Sequence, residues 1–362
     1  MLYLCGRNEK TMITMKKILV LLLLLLVVAG VQPSDAQRYQ VYGVGFYNLE
    51  NLFDYQHDKG KNDYEYLPDG RNRWTKMRYQ HKLRNMSTVL ADMGTDMLPG
   101  LGCAVIGVAE VENARCLRDL CNQPKLKQRN FKYCHIEGPD QRGIDCALLY
   151  NPILYKVRDV KLVPYVYDKE EDKGHATRGF LTVSGTLSGE HVTVIVCHWP
   201  SRGTTSYYRE LAGRQVRALK EKLQKEDPQV KIIIMGDMND DPRDQSMSVA
   251  LGARREANEV EEGGLYNPWW KLHDSGTGTL TYKNAWNLFD QIVVSQNLLP
   301  KEGGNDYHTL KFKKHQIFRR DYLFQTEGQY KGAIKRTHAG GEWLDGYSDH
   351  LPTIIYLMKE KK

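Results

Sequence analysis

The chain has 362 residues, of which 41% are hydrophobic and 26% are charged. These proportions are those of an ordinary folded protein, and they exclude an intrinsically disordered chain. The formal net charge of +7 is compatible with an anionic substrate but does not require one, because many folded proteins of this size are equally basic.

The first residues carry an export signal. Lys16 and Lys17 precede an unbroken apolar run over residues 18–29, and small and polar residues follow up to Gln37. This order is typical of a secretory signal peptide, and the run is too short to span a bilayer comfortably. We expect residues 1–36 to be an over-long start plus a cleaved signal peptide, and residues 37–362 to form one domain of a secreted or periplasmic monomer. The alternative is an uncleaved membrane anchor.

Short apolar runs alternate with amphipathic segments along the rest of the chain. The runs are rich in Val, Ile, Leu and Tyr and are bounded by Gly, Pro, Asn or Asp, which is typical of strands. Strands are predicted over residues 42–47, 104–109, 147–150, 180–187, 192–197, 231–235, 291–294 and 353–357. Apolar residues that recur every three or four positions predict helices from Leu83 to Met93 and from Tyr208 to Leu223. With no repeat or linker, this alternation predicts one α/β domain.

Polar side chains stand at the ends of several predicted strands, where functional residues commonly gather. In chain order they are Asn48, Glu110, His198, Asp237, Asn239, Asp290, Asp349 and His350. A carboxylate beside a buried strand is costly unless it is paired or coordinated, and Mg²⁺ prefers oxygen ligands. The pattern therefore predicts a metal site, and no zinc-protease, P-loop or α/β-hydrolase motif competes with it.

Each segment has a simpler explanation when it is taken alone. A strand-end Asp is commonly a cap, and a lone His is commonly a structural residue. Gly236-Asp237-Met238-Asn239 has the composition of a plain turn. The cysteines show no zinc-site spacing, so no metal is expected on sulfur. The functional interpretation depends on the recurrence of such segments in one chain.

In combination the segments resemble the endonuclease/exonuclease/phosphatase superfamily of deoxyribonuclease-like enzymes. The most specific parts are Gly236-Asp237-Met238-Asn239 and Ser348-Asp349-His350. Three further stretches are similar to the bacterial exported branch of that superfamily: Asn48-Leu49-Glu50-Asn51-Leu52-Phe53-Asp54, Arg142-Gly143-Ile144-Asp145 and His198-Trp199-Pro200-Ser201-Arg202. The resemblance covers residues 41–357. It implies an α/β fold that is a four-layer sandwich of two packed mixed β-sheets flanked by helices.

The resemblance also implies a role for each matching residue. Glu110 is expected to be the principal metal carboxylate, with Asn48 beside it and Asp349 near the metal. The expected metal is Mg²⁺, with Mn²⁺ and Ca²⁺ left open. Asp237 is expected to orient or deprotonate an attacking water, and Asn239 is expected to hold the phosphate.

Two histidines complete the expected catalytic set. His350 is expected to pair with Asp290, which would fix its tautomer and charge. His198 matches the second His of the family, and Glu137 is a candidate partner for it. The implied chemistry is in-line attack of water on phosphorus without a covalent intermediate. Candidates for binding the substrate phosphate are Arg142, Arg178 and Arg202.

The catalytic set leaves the substrate open. A nuclease is the first expectation, supported by the basic charge, by export and by the arginines that follow His198, namely Arg202, Arg209, Arg214 and Arg217. The alternative is a phosphoesterase that acts on phospholipid, sphingomyelin or a sugar phosphate, and Asn267-Pro268-Trp269-Trp270 is the candidate for a membrane-docking hairpin. A non-enzymatic binding module on the same fold is disfavoured by the full complement of catalytic side chains.

We expect the exported protein to begin at or near Gln37, because the segment before it has the order of a cleavable signal. Intact-mass measurement of the protein recovered outside the cytoplasm tests this. A soluble exported protein that still starts at Met15 would contradict the signal-peptide interpretation.

Overall fold

The computed structural model describes residues 38–282, 285–301, 306–328 and 330–361. The expected signal peptide of residues 1–36 therefore lies outside the described residues. One compact unit extends over Val41–Lys359, and the described residues outside it are 38–40 and 360–361. In the described part of the chain, no helix is both long enough and apolar enough to cross a bilayer.

Strands form most of the regular structure. In chain order the described strands are β1 Tyr39–Leu52, β2 Cys103–Val111, β3 Lys132–His135, β4 Asp145–Tyr150, β5 Tyr155–Val163, β6 Phe180–Leu187, β7 Glu190–His198, β8 Lys231–Asp237, β9 Ala253–Arg254, β10 Leu265–Tyr266, β11 Leu280–Tyr282, β12 Ala285–Asn287, β13 Asp290–Ser295, β14 Lys311–Ile317, β15 His338–Ala339, β16 Glu342–Trp343 and β17 Thr353–Glu360.

These strands build two large sheets and two short pairs. The first sheet has the order β14-β17-β1-β2-β4-β3, and the second has the order β5-β6-β7-β8-β13-β10-β9. Both sheets are mixed, because β1–β2, β7–β8 and β9–β10 are parallel while most other neighbours are antiparallel. β11 pairs with β12, and β15 pairs with β16.

Helices cover the outer faces of the sheets. The described α-helices are α1 Lys76–Asp92, α2 Ala114–Cys121, α3 Pro124–Lys127, α4 Ser206–Glu226 and α5 Trp270–Asp274, and a π-helical turn covers Ser246–Ala250. Thr75 caps α1 by accepting a hydrogen bond from the backbone N–H of Arg78. α4 ends just before Pro228, a residue that cannot donate a helical hydrogen bond.

Adjacent residues of the central strands pack on opposite faces, as the two-residue period of a strand requires. Phe46 and Met235 lie in the apolar layer between the sheets. Their neighbours face outward, because Tyr47 packs in the layer that contains α1 and Ile234 packs in the layer that contains α4. Three apolar layers therefore separate four layers of secondary structure, and the predicted α/β sandwich is confirmed.

The predicted strands are all present, and most are longer than their apolar runs. The strands that the sequence patterns missed include β3, β5 and β14, which are edge strands. Their sequences are rich in charged residues, as in Lys311–Ile317. Charged edge strands resist pairing with another chain, but their polarity removes the signal that predicts a strand.

Candidate active site

Three polar side chains stand in a row across the second sheet. β8 lies between β7 and β13, and the register pairs Asp237 with His198 on one side and with Asp290 on the other. Gly236 makes this arrangement possible, since a Cβ at that position would lie 2.2 Å from the carbonyl oxygen of Cys197. Two carboxylates and an imidazole therefore lie side by side at the same end of these three central strands.

His350 joins this row from the first sheet. Its Nδ1 lies 2.7 Å from Oδ2 of Asp290, so the predicted contact between these two residues is present. Its Nε2 lies 3.8 Å from Oδ2 of Asp237. Ser348 holds the turn in place, because its Oγ donates to the carbonyl of Asn48 at 2.7 Å and accepts from the N–H of His350 at 3.1 Å.

The electrostatics of His350 and Asp237 depend on their burial and on each other. Burial alone lowers the pKa of His350, but the charges of Asp290 and Asp237 outweigh it and raise that pKa well above its usual value. Burial raises the pKa of Asp237 to about 7, against the opposing effect of His350. The geometry therefore favours an imidazolium held between Asp290 and a carboxyl group that titrates near neutrality.

His198 lies on the other side of Asp237 and has the opposite character. Its Nε2 is 3.8 Å from Oε1 of Glu110 and 3.8 Å from Oδ2 of Asp237. Burial lowers the pKa of His198 well below its usual value, and the positive charges of Arg178, Arg142 and His350 lower it further. His198 is therefore a neutral imidazole beside the cationic His350.

The structure does not bring Glu137 together with His198. Nδ1 of His198 is buried, and no hydrogen-bond partner is found for it among the described residues. Glu137 is exposed and lies 3.6 Å from Nζ of Lys61. The expected pairing is absent because Glu137 is in a surface segment after the edge strand β3, where its partner is Lys61, whose side chain is 16% exposed.

Glu110 occupies the predicted metal position at the end of β2. Its Oε2 accepts a hydrogen bond from the N–H of Asn51 at 2.9 Å, and its side chain is 15% exposed. Asn48 Nδ2 donates to Oε1 of Glu110 at 3.3 Å and to Oδ2 of Asp237 at 3.0 Å. The oxygen of the Asn48 amide accepts from the N–H of Glu50 at 2.9 Å. Asn48 therefore lies beside Glu110, as predicted, and presents its NH₂ to both carboxylates, while its part in metal binding stays a prediction.

The backbone around the site adopts an unusual conformation. Glu50, Asn51, Glu110 and Asn239 all have positive φ, between 48° and 63°. This region costs about 1–3 kcal/mol for a residue other than glycine, and it persists only where the surroundings hold it. Here it redirects the ends of β1 and β2, and the register of both strands shifts at these positions.

Asn239 turns back under the site. Its N–H donates to Oδ1 of Asp237 at 2.9 Å, and its Nδ2 donates to the carbonyl of Trp199 at 3.0 Å. The loop after β8 is thus tied both to the catalytic carboxylate and to the loop after β7.

A charged network that the sequence patterns missed supports Asp349. Arg336 donates from Nη2 to Oδ2 of Asp349 at 2.9 Å and from Nε to Oε1 of Glu50 at 3.1 Å. Lys82 is buried nearby, and burial lowers its pKa to about 8. Burial and the charge of Asp349 raise the pKa of Glu50 to about 7. Lys82 lies one residue before the helix predicted from Leu83 to Met93, so the sequence pattern did not include it, although a buried lysine needs partners.

The three candidate phosphate-binding arginines have different surroundings. Arg142 is exposed and donates to Oδ1 of Asn51 at 2.6 Å. Arg178 is mostly buried and donates to Oδ2 of Asp140 at 3.0 Å. Both lie close enough to His198 to lower its pKa.

The guanidinium of Arg202 makes its contacts within the protein. Its Nη2 lies 3.0 Å from Asp241 and 2.8 Å from Asp244, its Nε donates to the carbonyl of Asn239 at 3.0 Å, and its guanidinium stacks on Phe289. It anchors the loop that carries Asn239, so the structure does not place it as a phosphate ligand.

Two clusters of side chains have the spacing that a metal ion requires. Asp237, Asp290 and His350 form one, but a protonated His350 cannot donate a lone pair. The carboxylates that the family resemblance implies for Mg²⁺ are Glu110 and Asp349, whose side chains are partly accessible, being 15% and 31% exposed.

The second cluster is Asp54, Glu112 and Cys116. Burial raises the pKa of Glu112 to about 8 and that of the Cys116 thiol well above its usual value. Asp54 is already paired with Arg115 at 2.8 Å. The protonated thiol and carboxyl favour a hydrogen-bonded structural cluster at the start of α2 over a metal site.

The profile of the endonuclease/exonuclease/phosphatase family matches residues 43–359 of this chain. The chain therefore belongs to that family, and the resemblance to the superfamily is confirmed, while the resemblance to its bacterial exported branch stays a prediction. A search of curated protein sequences gives no significant match.

Solved structures share the fold over most of their length. ANGEL2, a 2′,3′-cyclic phosphatase, has a TM-score of 0.56 and 13% identity, with 88% of this chain and 95% of that chain covered. A mannosyl-6-phosphatase of Bacteroides thetaiotaomicron has a TM-score of 0.54 and 16% identity, with 87% and 99% covered. TDP2 of D. rerio, complexed with a single-strand DNA product, has a TM-score of 0.50 and 15% identity, with 88% and 99% covered. At these identities the likeness shows the fold alone.

We expect Asp290→Asn and His350→Ala to reduce kcat by similar factors, and the double variant to lose little more, because the two side chains act as a unit. Each single variant should also lose about 3–5 kcal/mol of folding stability, as a broken buried pair does. The raised pKa of His350 stabilises the fold below the unfolded pKa of about 6.5 and loses this effect as pH rises through the folded pKa. The loss in Asp290→Asn should therefore shrink as pH is raised.

Urea unfolding at several pH values and steady-state kinetics measure these effects. The control is Asp227→Asn, which removes a His–Asp pair with His191 at the opposite end of β7, where both side chains are about one third exposed. This exposed pair should contribute about 0–1 kcal/mol and nothing to kcat. Simple addition of the two single losses in the Asp290 and His350 double variant would refute the coupling.

Proposed function

We propose that this member of the endonuclease/exonuclease/phosphatase family is a divalent-metal-dependent phosphoesterase that hydrolyses its substrate by in-line attack of water on phosphorus. The observation that carries the proposal is the contact of His350 with Asp290 at 2.7 Å, with Asp237 on the other side of the ring. This arrangement places a cation and a proton acceptor side by side. In-line hydrolysis needs both, since negative charge develops on the phosphoryl oxygens while the water loses a proton.

The chain's own residues divide the proton chemistry between them. Asp237, with a pKa of about 7, is placed to accept the proton of the attacking water. The cationic His350 is placed to stabilise an equatorial phosphoryl oxygen. The neutral His198 and the NH₂ of Asn48 supply further hydrogen bonds on either side of Asp237.

Glu110 and Asp349 are the proposed metal-binding carboxylates. A divalent cation, which we take to be Mg²⁺, supplies Lewis-acid charge against the negative charge that develops on the phosphate. Glu110 is held for this role by the N–H of Asn51, and Asp349 is held by Arg336. These bonds fix the direction of both carboxylates, and they leave room for ligand exchange because neither side chain is fully buried.

A nuclease is one candidate for the substrate class, and the DNA product bound to D. rerio TDP2 supports it by analogy of fold. The arginines that follow His198 support a nuclease less strongly in the structure than they do in the sequence. Arg202 and Arg209 are paired with acidic residues, and Arg217 is paired with Glu221 at 3.0 Å. Paired arginines attract a polyanion weakly, because their charge is already neutralised.

A phosphatase or phosphodiesterase acting on small polar esters is the second candidate, and the pairing of these arginines favours it. The B. thetaiotaomicron mannosyl-6-phosphatase supports it by analogy of fold. A lipid substrate is disfavoured, since Trp269 is fully buried and donates to the carbonyl of Ile292, so it is not part of an exposed docking hairpin. For location, we propose a secreted or periplasmic protein on the strength of the N-terminal sequence pattern.

We expect Glu110→Gln to abolish hydrolysis and weaken Mg²⁺ binding without unfolding the protein. The amide still accepts the hydrogen bond from Asn51, but it lacks the charge that holds a cation. Isothermal calorimetry with Mg²⁺ and circular dichroism measure the two effects, with Glu226→Gln, an exposed residue at the end of α4, as the matched control. Unchanged Mg²⁺ affinity in Glu110→Gln would remove Glu110 from the metal site.

A substrate panel tests the function as a whole. Plasmid DNA, RNA, sphingomyelin, inositol phosphates and hexose phosphates are each incubated with the enzyme in the presence and absence of a chelator. We expect release of product only without chelator, and faster turnover of small polar esters than of DNA. Faster turnover of DNA would establish the nuclease, and chelator-resistant activity would overturn the metal dependence.

A further inference from the structure

A cleft of about 310 Å³ opens beside the candidate active site. It lies between the end of β1, the segment around Tyr66 and the hairpin of β15 and β16. Its side-chain lining is mainly polar, and it is formed by Glu50, Asn51, Glu65, Tyr66, Arg71, Asn72, Arg336 and His338. Its volume stands at the lower end of the roughly 300–1,000 Å³ range of small-molecule sites. The cleft has room for one ring-sized group.

The cleft shares two residues with the catalytic machinery. The N–H of Asn51 is bonded to Glu110, and Arg336 is bonded to Asp349. A phosphate held at Glu110 and Asp349 would therefore lie beside the opening of the cleft. The group attached to that phosphate would then lie next to this cleft.

The charges of the cleft nearly balance. Glu65 and Glu50, the latter with a pKa of about 7, stand against Arg71 and Arg336, so the net charge of the lining is small and attracts neither a second phosphate nor a cation strongly. Burial lowers the pKa of His338 to about 4, with further lowering by nearby cations, so its ring is neutral at pH 7. The lining therefore suits an uncharged polar group.

The lining also offers donors and acceptors that the protein leaves available. Arg71 and Glu65 are 4.0 Å apart and more than half exposed, and an exposed pair of this kind stabilises little, so both can turn to a ligand. Arg336 uses Nε and Nη2 within the protein, which leaves the N–H groups of Nη1. Nε2 of His338 is buried, with no hydrogen-bond partner found in the described part of the chain.

The geometry points to this cleft as the subsite for the alcohol part of the substrate, and to a hydroxyl-rich sugar ring as the group that it takes. Vicinal hydroxyls both donate and accept, which matches alternating arginine and carboxylate side chains in a neutral, ring-sized space. The inference rests on the proposed function in one respect: the sugar is taken to be the alcohol part of a phosphoester. The ring can be a hexose or the ribose of a nucleotide, and the test separates the two.

The test combines kinetics with a binding measurement that needs no catalysis. The cleft variants are the double variant Arg71→Ala/Glu65→Gln, which alters only exposed side chains, and His338→Phe, which keeps the ring packed against Trp74 and Trp343. The control is Arg158→Ala, an exposed arginine of β5 on the second sheet. Each protein is assayed with glucose 6-phosphate, ribose 5-phosphate and phenyl phosphate, the last of which has no hydroxyl groups on its ring.

We expect the cleft variants to raise KM for a sugar phosphate on the order of tenfold, the effect of losing one or two net hydrogen bonds, with kcat nearly unchanged. KM for phenyl phosphate should stay the same, and Arg158→Ala should resemble the wild type throughout. The sugar phosphate whose KM changes more, glucose 6-phosphate or ribose 5-phosphate, identifies the ring that the cleft binds.

Saturation-transfer NMR with methyl glucoside and methyl riboside measures binding directly. We expect a signal with the wild type and with Arg158→Ala, and a weaker signal with the cleft variants. Such binding without hydrolysis of any phosphoester would overturn the proposed function and support the sugar subsite. Hydrolysis that treats all three esters alike in every variant, without a cleft-dependent NMR signal, would overturn the sugar subsite and leave the function standing.

Discussion

The hydrogen bond between Asp290 and His350 is the constraint on which the site depends, because its two residues come from different sheets. Asp290 begins β13 of the second sheet, and His350 precedes β17 of the first. Both side chains are buried, so the pair is stable only if the sheets stack with these strand ends aligned. Asn48 adds a second link, since it donates to Asp237 across the same gap at 3.0 Å. The site is therefore a consequence of how the two sheets are packed.

The same packing separates the two histidines chemically. His198 and His350 both lie 3.8 Å from Asp237 and are both buried, yet their pKa values move in opposite directions. Asp290 pairs with His350, whereas the charges of Arg178 and Arg142 act on His198. No hydrogen-bond partner of Nδ1 of His198 is found among the described residues. Groups whose environments drive their pKa values apart can take different proton roles at one pH. A carboxylate beside one ring and arginines near the other thus turn two similar rings into a cation and a neutral hydrogen-bonding group.

Much of the fold could be predicted from the sequence, because the central strands are buried on both faces and therefore read as apolar runs. β6 was predicted over the same residues, 180–187, that form it. Edge strands such as β5 and β14 were not predicted, since their charged residues conceal the strand pattern. For the candidate site, the sequence names the residues that end apolar strands, but it does not predict most of the contacts that these residues make. Arg336 lies in a loop with no periodicity, and the pairing of Glu137 depends on a surface contact that no local pattern encodes.

The arginines show why charge along a sequence is a poor guide to what a site binds. Arg202 follows the strand-end histidine and reads as a phosphate ligand, but three aspartates of the next loop surround it. Arg336 has no motif around it, and the fold places it between Glu50 and Asp349 with 46% of its side chain exposed. A cation is available to a ligand only to the extent that the protein has not already neutralised or buried it. Arg336 is paired with two carboxylates and is 46% exposed, whereas Arg202 is paired with three and is 24% exposed. By that criterion Arg336 is better placed than Arg202 to contact a substrate, which agrees with the subsite proposed beside it.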